Sequence, residues 1–209
     1  MADRIYRLLT GHYVDLAAIV ELRSGQRGGP GSDFTFGIQY ELRNEPVWFS
    51  IGFMNCLDIA LQHPTVFAGL EKGLLAGDND SAASVCQIVQ DDLVRAWREH
   101  KGTAGEAVDP IFRSADGTSI DLSEILDVSA PALLEEDVYG FSILYKGQAE
   151  RRVFSYNCYD TATADLLGLD FEAALASPHA DAADRVALDV LATHVDALVD
   201  AWRKFKLAA

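Results

Sequence analysis

Basic side chains are scarce. Lysine and arginine number 17 against 32 aspartates and glutamates, a formal charge of −15 over 209 residues. That balance excludes a broad, sequence-independent grip on DNA or RNA, which needs clustered cations to neutralise phosphates. It suits an anionic membrane surface no better. No run of eighteen apolar residues is present to span a bilayer. The opening Met1-Ala2-Asp3-Arg4-Ile5-Tyr6-Arg7 lacks the apolar core and small-residue cleavage site of a signal peptide. Cysteine is sparse as well: Cys56, Cys86 and Cys158 form no CxxC pair and cannot all pair with one another. A reducing compartment is implied, and the expected location is cytoplasmic.

Apolar residues are plentiful. At 49% hydrophobic and 23% charged, the chain can bury a sizeable core, which excludes disorder and fibrous repeats. Arginine outnumbers lysine, and alanine and aspartate are abundant, as in proteins of GC-rich bacterial or phage genomes.

Three motifs recur in the same order at nearly the same shift. Gly11-His12-Tyr13-Val14-Asp15-Leu16 matches Gly117-Thr118-Ser119-Ile120-Asp121-Leu122 at a shift of 106. Asn55-Cys56-Leu57-Asp58 matches Asn157-Cys158-Tyr159-Asp160 at 102, and Leu93-Val94-Arg95-Ala96-Trp97-Arg98 matches Leu198-Val199-Asp200-Ala201-Trp202-Arg203 at 105. The expected organisation is a tandem duplication: a first α+β repeat over 1–101, a linker over 102–109 and a second, more acidic repeat over 110–209. Duplicated units often pack about a pseudo-two-fold axis, and the same arrangement is expected by analogy.

Each half reads as about four antiparallel strands followed by helices. Ile5–Thr10 and Tyr13–Leu16 flank a turn at Gly11, as Ile111–Arg113 and Ser119–Leu122 flank Asp116-Gly117. Phe34, Phe36, Ile38, Tyr40 and Leu42 alternate with polar positions, as do Tyr139, Phe141, Ile143 and Tyr145 in the second half, so each sheet has one covered face. Strands around Val47–Phe53 and Arg152–Tyr156 follow. Helices are expected over Cys56–Gln62, Thr65–Leu75, Thr161–Leu167 and Phe171–Ala176, and a final amphipathic helix in each half carries Trp97 or Trp202 toward the core. The architecture is therefore α+β, with helices covering antiparallel sheets.

The search for chemistry is mostly negative. The glycine-rich run Ser24–Ser32 joins two strands and lacks the Gly-Lys-Ser/Thr ending of a phosphate loop, so it reads as a connecting loop. The five histidines form no HxxxH or HExxH pair, which leaves no metal, no cofactor and no catalytic constellation to expect. Asn-Cys-x-Asp is the one polar signature common to both halves. A thiol at a helix N-terminus can be an activated nucleophile; the simpler reading is that Asn or Asp caps the helix while Cys packs beneath it. Trp48 lies on the opposite strand face from Val47, Phe49 and Ile51, free to anchor an interface.

Charge is unevenly divided: residues 106–209 hold 19 acidic and 8 basic side chains, against 13 and 9 in residues 1–105. The reading favours binding over catalysis. It is a non-enzymatic acidic protein that engages a basic protein partner, as inhibitor, immunity or masking protein or as a subunit of a bacterial or phage complex, through Glu135, Glu136, Asp137, Asp189, Asp196, Asp200 and Trp48. The alternative is an enzyme or small-ligand binder at the junction of the repeats, using Asn55, Cys56, Asp58, Asn157, Cys158 and Asp160. A homo-oligomer is a third option; nucleic acid and membrane are not expected partners.

Overall fold

A computed structural model describes residues 4–23, 34–43, 45–102, 108–135, 138–157 and 182–208, with Thr163 and Gly168. It is α+β, with antiparallel sheets and four α-helices among the described residues. No helix among those residues is long and apolar enough to cross a membrane. The chain divides into two compact units, residues 1–111 and 112–209.

The first unit opens with a hairpin of β1 (Ile5–Arg7) and β2 (Tyr13–Asp15). The first strand is shorter than the sequence suggests, because Leu8 turns the chain: its N–H donates to the His12 carbonyl at 2.8 Å and its carbonyl accepts from Gly11 N–H at 2.8 Å. Asp15 then ends β2 and starts a single 3-10 turn over Leu16–Ala18, its Oδ1 accepting from Ala17 N–H at 3.1 Å. The Arg4 guanidinium, 2.7 Å from the same carboxylate, holds it below the usual carboxylate range. Three antiparallel strands follow, β3 (Ile19–Arg23), β4 (Phe34–Tyr40) and β5 (Val47–Ile51), with β4 in the centre of the three.

The alternation of β4 sets its inner face. Phe34, Phe36 and Ile38 are buried, and register pairs them with Ile51, Phe49 and Val47 of β5. Phe36 and Phe49 stack at 5.3 Å between centroids, which fixes that register. The helices α1 (Phe53–Gln62), α2 (Glu71–Leu75) and α3 (Asn79–Lys101) complete the unit, with α3 packed on β4 and α1 and α2 packed on α3. Asp78 caps α3, accepting from Asp80 and Ser81 N–H at 3.1 and 3.0 Å. From the helix, Val85, Val89, Leu93 and Trp97 enter the core, and buried Gln90 donates to the Arg23 carbonyl at 2.9 Å. Tyr6 donates to Asp92, which ties β1 to the same helix. The helix expected over Thr65–Leu75 contracts to Glu71–Leu75, since turns anchored on the His63 carbonyl occupy the segment before it.

From the last residue of the first unit the chain enters a hairpin of β6 (Ile111–Arg113) and β7 (Ser119–Asp121); the second unit continues with β8 (Ile125–Val128), β9 (Ala132–Glu135), β10 (Val138–Tyr145), β11 (Arg152–Asn157) and a long helix α4 (Ala182–Ala208). β10 is central: β11 pairs along one edge, while β8 and β9 share the other. Leu191, Val195 and Leu198 of α4 are buried, as are Tyr139, Phe141, Ile143 and Tyr145 of β10, and α4 packs on β8, β9 and β10. β9 has no counterpart among the strands expected from the sequence, because Ala130–Asp137 has no alternating pattern to announce one. The helices expected over Thr161–Leu167 and Phe171–Ala176 lie outside the described residues, save Thr163.

Several bonds of the first unit recur 105 or 106 residues later. Ser114 N–H donates to the Thr118 carbonyl as Leu8 does to that of His12, both at 2.8 Å. Asp121 Oδ1 accepts from Ser123 N–H at 2.8 Å as Asp15 does from Ala17. Phe141 and Phe154 stack as Phe36 and Phe49 do. In the turn after the central strand, Arg43 N–H reaches the Tyr40 carbonyl and Gln148 N–H that of Tyr145, both at 3.3 Å.

That last turn yields a test. It requires a positive φ, which Gly147 adopts at 72° and Leu42 at 64°. Leu42 was expected on the buried face; it is instead 74% exposed, because the strand ends at Tyr40 and the turn carries it outward. The left-handed conformation costs a leucine roughly 1–2 kcal/mol, and glycine's greater freedom in the unfolded chain offsets about 0.5–1 kcal/mol of any relief. Leu42→Gly should therefore raise stability by roughly 0.5–1 kcal/mol, read as a higher urea midpoint. A lower midpoint would mean that the side chain contributes contacts which its exposure does not indicate.

Candidate functional site

In the first unit, the β1–β2 turn, β5 and α1 enclose a cleft of about 640 Å³. Helical spacing decides which α1 side chains face it. Asn55, Asp58 and Gln62 stand at i, i+3 and i+7, on one face, and all three line the cleft with His63 at the end of the helix. Cys56 and Ala60 occupy another face and are fully buried. From the turn, Thr10 and His12 contribute; Phe49, Ile51, Ile59, Leu8 and Leu9 supply the apolar wall.

His12 is held in place. Its Nδ1 lies 3.1 Å from Thr10 Oγ1, and its ring meets that of Phe49 edge to face at 5.7 Å. Across the cleft, the side chains of Asn55, Asp58 and Gln62 make no hydrogen bond or ion pair with any described residue, so the fold does not use them. The cleft joins side chains that lie apart in the sequence, and residue-type motifs gave no sign of it. The available signals were the polar spacing 55, 58, 62 on a helix and a histidine in a tight turn beside Gly11.

The paired Asn-Cys-x-Asp segments do not take matching positions. Asn55 lies inside α1, whose N-cap is Gly52 with no side-chain capping bond, so the expected capping role is corrected. Asn157 ends β11 opposite Val138. The strands recur at a shift of 105, which aligns Asn157 with Gly52, while the motif match needs 102. Cys158 and Asp160 lie outside the described residues. Cys56 packs beneath the helix, its thiol 3.8 Å from the Ala82 carbonyl, and presents no exposed nucleophile.

The other sequence candidates are on the surface. Trp48 is 45% exposed, with its ring over Gly37 and the Arg23 guanidinium 5.7 Å from its centroid. Glu135 is exposed at the end of β9, and Asp189, Asp196 and Asp200 are exposed along α4. Glu136 and Asp137 lie outside the described residues. Among the described residues no three potential ligands come together as a metal site.

In the second unit, Phe112, Ser114, Asp116, Phe141, Tyr156 and His194 help to line a cavity of only about 20 Å³, room for about one water molecule. Tyr156 closes that corner by donating to Asp116 Oδ2 at 2.9 Å.

Burial governs the thiol chemistry. Burial, and secondarily the neighbouring Cys56, pushes the Cys86 thiol up to about 12; burial, then its bond to Asp92, raises Tyr6 to about 12 as well. A folded-state pKa above the unfolded value contributes stability below the unfolded value and loses it as pH rises toward the folded one. Thermal midpoints should therefore fall as pH rises from about 9 toward 12, and Cys56 and Cys86 should resist a thiol reagent until denaturant is added. Rapid labelling of both in the native protein would contradict the packing described. Compared with known proteins, the chain matches no family model, no curated protein and no solved structure.

Proposed function

We propose that this chain is a non-enzymatic binding protein whose second unit docks a basic protein. The observation that carries the reading is an apolar edge strand beside an acidic helix face. All four residues of β9 are exposed, Leu133 at 53% and Leu134 at 43%, and among the described residues β9 pairs along one edge only. β9 packs with α4, whose solvent side carries Asp189, Asp196 and Asp200 at i, i+7 and i+11. Apolar anchors rimmed by charge of one sign are common interface anatomy, and a free strand edge can accept an extended segment of another chain. Asp189 and Asp196 form no ion pair with a described residue. Asp200 pairs with Arg203 at 3.2 Å, both exposed, an attachment worth at most about 1 kcal/mol and readily exchanged. The excess of acidic over basic residues in the second half of the sequence would speed encounter with a cationic surface.

The recurring bonds support a further part of this reading, that the two units descend from one duplicated module. Homologous chains check it: the shift of 105–106 should persist at the hairpin turn, the aspartate turn, the stacked phenylalanines and the strand-end turn, whereas chance likeness would drift.

The docking reading is tested by immobilising the full chain, exposing it to lysate of its source organism and washing at low and high salt. A basic protein held at low salt, weakened at high salt and lost by Asp189→Lys/Asp196→Lys/Asp200→Lys is expected. Retention that ignores the charge reversal, or no basic protein at either salt, would refute it.

A further inference from the structure

We infer that the cleft of the first unit binds a neutral, polyhydroxylated small molecule of about one or two sugar rings. The inference is independent of the docking surface, since every residue involved belongs to the first unit.

Charge comes first. Among the described residues, Arg7 and Asp58 are the cation and the carboxylate in the lining, so their formal charges cancel. An anionic or cationic ligand would meet one like charge for every opposite one. What remains is uncharged hydrogen-bonding capacity of both kinds: the hydroxyl of Thr10, the amides of Asn55 and Gln62, and the imidazoles of His12 and His63. Hydroxyl and amide side chains both donate and accept, as does every hydroxyl of a sugar, so a polyol can satisfy such a lining where a ligand of one hydrogen-bonding sense leaves partners unmatched. Phe49, Ile51 and Ile59 supply apolar wall for the C–H faces of a ring.

Size and preorganisation agree. A cleft of about 640 Å³ lies within the range of roughly 300–1,000 Å³ found for small-molecule sites. His12 is positioned before any ligand arrives, by Thr10 and by the edge of Phe49, and the α1 side chains opposite have no competing partner among the described residues. The corner of the second unit supplies a contrast. Thr10 and Ile51 recur there as Asp116 and Tyr156, which bond to each other and leave room for little more than a water. The first unit has neither group of that bridge, and its corner stays open.

The test uses the full chain, uniformly 15N-labelled. D-glucose, D-ribose, maltose and myo-inositol are titrated separately, with inorganic phosphate and putrescine as charged probes. At least one neutral probe should shift the amides of Gly11, His12 and residues 55–63, with both charged probes silent there. Asp58→Ala/Gln62→Ala, altering two exposed residues, should weaken that binding about tenfold or more and leave the remaining spectrum in place. Asn55→Leu, also exposed, gives a second variant with the same expected loss. Silence of all four neutral probes at these amides, a response there to phosphate or putrescine instead, or undiminished binding by both variants would overturn the inference.

Discussion

Phe49 is the side chain on which the first unit turns. It stacks on Phe36 and meets the edge of His12. The stack sets the register of β5 on β4, and register decides everything after it, because a shift of one residue exchanges the two faces of a strand. With Phe49 inward, Trp48 and Ser50 face the other way, Ile51 closes the core, and the chain reaches Gly52 in position to begin α1. That starting point buries Cys56 and Ala60, the Cys56 thiol against α3, and leaves Asn55, Asp58 and Gln62 lining the cleft with the hairpin turn. The contact with His12 ties the other wall of the cleft to the same ring. A packing constraint thus sets a polar geometry.

The features legible in the sequence are those that depend on local period. The alternation of Phe34, Phe36 and Ile38, the helical stripe of Val85, Val89, Leu93 and Trp97, and the turn glycines Gly11 and Gly117 are each determined within a few residues, and each is found as read. Leu42 marks where such reasoning stops. It continues the apolar alternation, but Gln39 donates to the Arg43 carbonyl and helps to close the turn that carries Leu42 into solvent. β9 fails for the opposite reason: its pairing with β10 comes from tertiary placement, with no periodic signal of its own. The cleft was illegible because its walls are some forty residues apart in sequence. His12 and Asp58 acquire a relation only through the β4–β5 register and the start of α1.

The motif that looked most chemical proved the least matched. Asn-Cys-x-Asp recurs by residue type, yet in the first unit it sits within a helix and in the second its asparagine ends a strand. The bonds that do recur involve main-chain groups and short side chains: an aspartate turning the chain into the next strand, a carbonyl closing a hairpin. Such features depend on main-chain geometry more than on the side chains around them.

The difference between the two corners follows from the same economy. Where Asp116 meets Tyr156, a carboxylate and a phenol satisfy each other, and the space beneath the hairpin is nearly closed. A corner sealed this way gains a hydrogen bond to a charged group, of the stronger kind, and leaves little open space. With Thr10 and Ile51 in those positions, the first unit forgoes that bond. Its hairpin is secured elsewhere, by Arg4 on Asp15 and by Tyr6 on Asp92, both outside the lining. Anchors on the far strands let the corner remain open without loosening the turn that carries His12, so rigidity and an accessible polar surface occur together in the unit that bears less of the net charge. The more acidic unit closes its corner and instead exposes a strand edge and a helix face.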